Sequence, residues 1–299
     1  HGTPWPIGYE DVAPWYDYVE GFAGISGNND GVRNLPDGNF QPPMEFNCIE
    51  EKLKENFEEN YPDRHFIIGR AAHLTEPTEE QRELGREKCQ FRNQCMRGCS
   101  FGAYFSSQSA TLPAANRTGN LKTVTDAICH SVIYDENSGK ATGVRVINAN
   151  TNERREYTAK VVFLCASTVG TTQIMLNSKS ETFQNGIANG SGVLGHYLMD
   201  HIYQAGARGR MPGYHDRYYK GRRPNGIYIP RFRNLPWGSE ENDKSDSFLR
   251  GYGFQGYTDR VSWSRANEST GYGADFKNSL KEPGDWWFSM VGFGEMLPR

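Results

Sequence analysis

The sequence predicts an α/β (α+β) chain with a second, β-rich part. Three observations carry that reading. Two segments near the N-terminus have helical periodicity. A strand, a hairpin, a strand and a helix start follow one another over residues 120–178. Aromatic, strand-like stretches dominate the chain after about residue 205.

Taken in order, Asp11 to Ala23 repeats Val12, Tyr16, Val19 and Phe22 at helical spacing, with Pro14 suited to an early turn. The Gly-rich stretch Gly24 to Gly38 ends that helix in a loop. Met44 to Asn60 forms a second helix with Ile49, Leu53 and Phe57 on one stripe. Pro62 and Asp63 break it, and His65 to Gly69 is a short strand. Residues 74–88 are charged and read as a surface loop. Pro113 argues against a long helix over Phe101 to Ala115. Val124 and Ile128 to Tyr134 make a strand, Asp135 to Gly139 a turn, and Gly143 to Ile147 an alternating strand. After a turn at Asn148 to Asn152, a third strand runs from Arg155 to Leu164 and ends in the apolar run Val161 to Leu164. Ala166 to Thr172 then leads into a helix at Gln173. A buried strand feeding a small-residue turn and a helix N-terminus is a place where nucleotide phosphates sit. Later, Phe248 to Trp263 and Trp286 to Phe293 read as aromatic strands, and residues 238–247 as exposed. A boundary near 205 divides the chain into residues 1–205 and 206–299.

A chain of 299 residues suits one large domain or two smaller ones. Its net charge of -3, from 33 Lys+Arg against 36 Asp+Glu, argues against nucleic acid as the main partner. The basic cluster Lys220, Arg222 and Arg223, with Arg217 nearby, reads as a solvated loop. The hydrophobic share of 36% and the mean hydropathy of -0.73 are low, yet 13% aromatic residues exclude disorder. Together these predict a loop-rich chain with part of its core outside the sequence. No apolar run has the length of a membrane span. The start at His1, without Met, is expected to be processed or truncated.

Gly251-Tyr-Gly253-Phe-Gln-Gly256 matches the dinucleotide fingerprint in letters only. The fingerprint needs a buried strand before it and an amphipathic helix after it, and neither flank fits, so an aromatic strand with glycines for close approach is the reading. Cys89, Cys95 and Cys99 crowd into eleven residues. Zinc or an iron–sulfur cluster, a disulfide and free thiols all stay open there, since no fourth ligand is close in sequence; no metal ligand is assigned. The seven histidines form no H-E-x-x-H or H-x-H pair, and each is read as structural. No G-x-S-x-G elbow and no P-loop occurs.

Four stretches in this order resemble the glucose-methanol-choline (GMC) oxidoreductases: Trp5 to Tyr16; Cys95 to Ala115; Asn120 to Ser178; and Gly192-Val-Leu-Gly-His-Tyr-Leu-Met-Asp-His201. The likeness is nearest the bacterial gluconate dehydrogenase and pyranose 2-oxidase branch, where Phe293 to Pro298 is similar to a strand of the substrate domain. The resemblance implies part of an FAD-binding α/β domain over 1–205 and part of a β-sheet substrate domain over 206–299. It implies that Cys129 lies against the adenine, and that Ala166 and Ser167 lie near the adenosine end of FAD. Ser167 stands where the family has Gly, which narrows backbone approach. Gln255 is expected to face substrate. The family's FAD fingerprint is expected N-terminal to this sequence and its catalytic His and His/Asn partner C-terminal to Arg299, so the catalytic residues are unknown and the fragment is expected to hold FAD poorly alone. His201 is not assigned as a base. The implied activity is oxidation of a CH–OH group of a sugar, polyol or alcohol by hydride transfer to flavin, with oxygen, a quinone or a cytochrome as acceptor. The location, periplasmic or cytoplasmic in a bacterium, is left open, with the resemblance leaning to the periplasm. A non-catalytic carbohydrate-binding module and a Cys-centred metal protein are the rival readings.

Overall fold

A computed structural model describes residues 5–203, 205–217, 226–235, 244–261, 263–268 and 270–296. The basic cluster at Lys220, Arg222 and Arg223 lies outside the described residues, as does most of the polar stretch 238–247. The chain forms two compact units, residues 1–120 with 200–296, and residues 121–199.

In the first unit, α1 (Tyr9–Ala23) starts where Asp11 accepts the Gly8 amide at 2.7 Å and ends at Gly24, whose φ of 73° needs a residue without Cβ. Its apolar stripe does not meet a core: Tyr16 and Val19 are exposed, and burial is confined to the end at Ala23. Helix α2 (Cys48–Asn60) opens on a reciprocal cap. Asn47 Oδ1 accepts the Ile49 and Glu50 amides, each at 3.1 Å, and Glu50 accepts the Asn47 amide at 3.0 Å.

A six-stranded antiparallel sheet runs β1 (Ile67–Ile68), β7 (Ile227–Ile229), β8 (Tyr252–Arg260), β9 (Trp286–Glu295) and β5 (His201–Ile202), with β6 (Gly206–Met211) also pairing with β9. Alternation along the strands separates two faces. Ile227, Ile229, Phe254 and Met290 turn one way and pack with Phe66 against Phe46, Leu53 and Phe57, so α2 covers that face. Thr258 fixes the docking, its hydroxyl donating to Asn47 Oδ1 at 2.7 Å and its amide to Glu50 at 3.3 Å. The glycines of the fingerprint look-alike sit in or beside β8, as the sequence reading held. A Cβ on Gly256 would lie 2.5 Å from the Ser289 carbonyl oxygen, so β9 demands Gly there.

Residues 74–88 correct the surface-loop expectation. They contain a short helix α3 (Glu79–Glu83), and Arg86 is fully buried. Its guanidinium donates to the carbonyls of Ala23 (2.8 Å), Gly102 (3.0 Å) and Phe22 (3.3 Å), so the charge serves as an internal staple. As expected, no long helix spans Phe101 to Ala115: α4 (Leu112–Arg117) is six residues long, with Pro113 in its first turn, where the missing N–H is harmless.

The second unit has a three-stranded antiparallel sheet of β2 (Ala127–Asp135), β3 (Lys140–Asn148) and β4 (Arg154–Thr158), followed by α5 (Ser167–Asn177). Val124 lies before the strand, and the third ladder stops at Thr158, short of the expected Leu164. Val161 and Phe163 are left 64% and 83% exposed. Periodicity identified an apolar run fit for a strand; no strand among the described residues pairs with it. Ser178 joins helix to sheet, accepting the Val132 amide at 2.8 Å and donating to the Ile174 carbonyl at 2.6 Å. Fold class therefore agrees with an α+β chain of helices and antiparallel sheets.

Candidate functional site

The face of the large sheet opposite α2 builds the candidate site. On β7 the order Ile227-Tyr228-Ile229 buries both isoleucines and turns Tyr228 away from them. Register then carries that side across the sheet: Tyr228 is opposite Gln255, Gln255 opposite Val291, Gly253 opposite Phe293, and Glu295 opposite His201. A cavity of about 330 Å³ opens here, lined by His201, Tyr228, Arg231, Gln255, Phe293 and Glu295 among others. That is the lower end of the range for small-molecule sites.

The cavity has distinct ends. Where the sheet meets Arg231, the phenol of Tyr228 is kept protonated: burial pushes it above the ordinary tyrosine range, against the opposing pull of Arg70 and Arg231. Gly253 leaves room for that ring, since a Cβ there would lie 3.6 Å from the Tyr228 hydroxyl and 3.1 Å from the Ile229 carbonyl oxygen. At the other end His201 Nδ1 lies 4.0 Å from Glu295, and its ring meets Phe293 edge-on at 5.9 Å. Gln255 stands exposed between them. The set offers donors, acceptors and an aromatic wall on one rigid surface.

Of these cavity-lining residues, sequence reasoning singled out Gln255 and did not assign Tyr228, Arg231, His201 or Glu295. The alternation Ile-Tyr-Ile was a usable signal for Tyr228. His201 had been set aside with the other histidines, and only the pairing of β5 with β9 brings it to the cavity.

A second, small cavity of about 30 Å³ is lined by His73, Cys89, Cys95 and Cys99. His73 stacks on Tyr104 at 4.7 Å, and its Nε2 lies 3.3 Å from Cys95 Sγ. Among the described residues no three metal-ligating side chains converge. Cys48, Cys99, Cys129 and Cys165 are free thiols.

The other expected positions lie in the second unit. Cys129 is half-buried on β2, next to a register shift that follows it. Burial pushes its thiol up. Ala166 and Ser167 form the exposed entry to α5, and β2 packs on that helix. Ser167 takes φ 62°, the left-handed region that favours glycine. The backbone thus keeps the shape of a Gly turn while a Cβ is added. The N-terminus of α5 has no side-chain cap, so its first amides are open to a ligand acceptor. An open turn of small residues at a helix start fits the adenosine end of a dinucleotide.

A sheet with one face on a helix and the other forming a polar, aromatic cavity, and a separate unit in which antiparallel strands lead into a helix, make an α+β chain. The family profile described as GMC oxidoreductase matches residues 5–203. The chain belongs to the GMC oxidoreductase family. It is 30% identical to the 2-methyl-1,2-propanediol dehydrogenase of Mycolicibacterium austroafricanum, over 98% of this chain and 51% of that protein. It is 24% identical to the fructose dehydrogenase large subunit of Gluconobacter japonicus, over 67% of this chain and 36% of that protein. The chain thus spans about half the length, or less, of these curated relatives. Among the described residues no helix is long and apolar enough to cross a membrane.

Proposed function

We propose that the chain is part of an FAD-dependent oxidoreductase that oxidises a CH–OH group of a sugar, polyol or alcohol. The cavity on the open sheet face, with Gln255 and Tyr228 side by side across β7 and β8, carries this reading. When bound, FAD supplies the hydride acceptor. Cys129, Ala166 and Ser167 would hold its adenosine end. Gln255 and Tyr228 orient substrate hydroxyls, and Phe293 shields the reacting carbon from water. In this reading residues 1–205 serve the cofactor and residues 206–299 supply most of the substrate cavity, to which His201 is added. The names of the two relatives, a diol and a fructose dehydrogenase, support a hydroxylated substrate. Oxygen, a quinone or a cytochrome takes the electrons.

The test uses the full-length protein. Flavin absorbance should co-purify with it and bleach anaerobically on addition of a sugar or polyol. Replacement Gln255→Ala should raise KM or lower kcat about tenfold or more, as loss of an orienting hydrogen bond does. A colourless protein that takes up no FAD would overturn the reading.

A further inference from the structure

The two strands at one end of the large sheet are short. β1 has two residues and β7 three, against nine in β8 and ten in β9. The ladder of β7 with β8 stops at Ile229, yet both Tyr228 and Arg231 line the cavity. A wall with so little ladder frays unless another segment holds it.

Residues 27–40 supply that hold. Their ends meet in a neck, where Gly27 donates its amide to the Gln41 carbonyl at 3.1 Å and Gln41 donates to the Ile25 carbonyl at 2.7 Å. Inside, Asp37 accepts the Gly31 amide at 3.2 Å, Asn29 accepts the Gly38 amide at 3.1 Å, and Val32 is buried. This is a compact Ω-loop. Two side chains dock it. Arg70, just past β1, donates to the Pro36 carbonyl at 2.7 Å, lies 4.4 Å over the Phe40 ring and packs its stem where a Cβ on Gly27 would stand. Asn34, on the loop itself, donates its side-chain amide to the Arg231 carbonyl at 2.9 Å. The loop thus bridges the end of β1 and the chain leaving β7.

Resting on the oxidoreductase reading of the cavity, we infer that residues 27–40 are a strap that sets the Tyr228–Arg231 end of the substrate site, with Asn34 as its positioning residue. Docked, the strap keeps the wall bearing Tyr228 at a fixed spacing from Gln255. Released, it frees the carbonyl at Arg231 and lets that wall move away. The strap acts on the hold over substrate hydroxyls and not on the carbon that gives up hydride.

Hydrogen–deuterium exchange on the full-length protein tests this. In Asn34→Ala, segments 28–39 and 227–234 should both exchange about fivefold faster, the scale of one lost hydrogen bond, while α2 exchanges as in the wild type. Asn34→Gln, which keeps an amide donor, should recover part of the loss. Coupling of this kind is reciprocal. Gly251→Ala, whose new Cβ would collide with the Arg231 stem, should therefore loosen segment 28–39 from the cavity side. In turnover with whichever of fructose, sorbitol or 1,2-propanediol reduces the flavin, Asn34→Ala should raise KM about fivefold with little change in kcat. A loop that loosens in Asn34→Ala while 227–234 keeps its wild-type exchange would overturn the inference. So would a loop indifferent to Gly251→Ala, or a KM that does not move. A colourless protein that still shows the exchange coupling would leave the strap standing and remove the oxidoreductase reading.

Discussion

His73 shows how one side chain can tie stability to pH. The ring is 1% exposed, stacked on Tyr104, and its Nδ1 has no hydrogen-bond partner among the described residues. Burial alone lowers its pKa from 6.5 to about 4. The folded state therefore holds the neutral ring at pH values where the unfolded chain has already bound a proton. Stability is unaffected above about pH 6.5, falls as the pH drops from there to about 4, and levels off below. The linked loss is on the order of 3 kcal/mol. Urea midpoints measured from pH 7.5 to 4 should decline for the wild type and decline less for His73→Gln, which cannot titrate. Equal slopes in the two proteins would show that other groups dominate the acid limb. The same scale explains what the sequence concealed: Arg86 looks like a surface residue in a charged stretch, and only its tertiary neighbours, the carbonyls of Phe22, Ala23 and Gly102, make it interior.

Secondary elements were legible where the signal is local and obscure where the partner is distant. The stripe of Ile49, Leu53 and Phe57 announces α2 from sequence spacing alone, and the hairpin of β2 and β3 follows from Asp135 to Gly139. The helix of α5 was legible too, but its start was expected at Gln173 and lies at Ser167, a serine in a backbone conformation that favours glycine. Strand β6 hid in a stretch rich in Gly and Arg, because its Gly206 and Gly209 are required by the approach of Met290 and Phe288 on β9 and carry no apolar alternation. Residues of the candidate site depend on register across four strands, which local patterns do not encode; Glu295 and His201 meet only through the pairing of β9 with β5. The junction of α2 with β8 gives a test of the element. Asn47 Oδ1 serves two helix amides and the Thr258 hydroxyl at once. Asn47→Ala should destabilise the protein by about 2 kcal/mol, the upper end for an N-cap, because it also strands a buried hydroxyl. Asn47→Asp keeps the acceptor and should recover most of that loss in thermal or denaturant unfolding.

At the scale of the molecule, several large apolar residues stand together at the surface. In the second unit Val161, Phe163 and Val169 are 64%, 83% and 70% exposed, and the first two lie in an extended run that no described strand pairs with. On α1, Trp15 and Tyr18 stand open as well. Scattered apolar residues are ordinary on a protein surface, but runs of this kind are a sticky face. The 299-residue chain should therefore bind a hydrophobic dye strongly under native conditions. Replacing Val161→Thr and Phe163→Ser together should weaken that binding while circular dichroism and the unfolding midpoint stay nearly constant, because exposed side chains contribute little to stability. Were the midpoint instead to fall by several kcal/mol equivalents of stability, these two side chains would have to be packed in solution, and the run Val161 to Leu164 would be a strand that finds its partner within this chain.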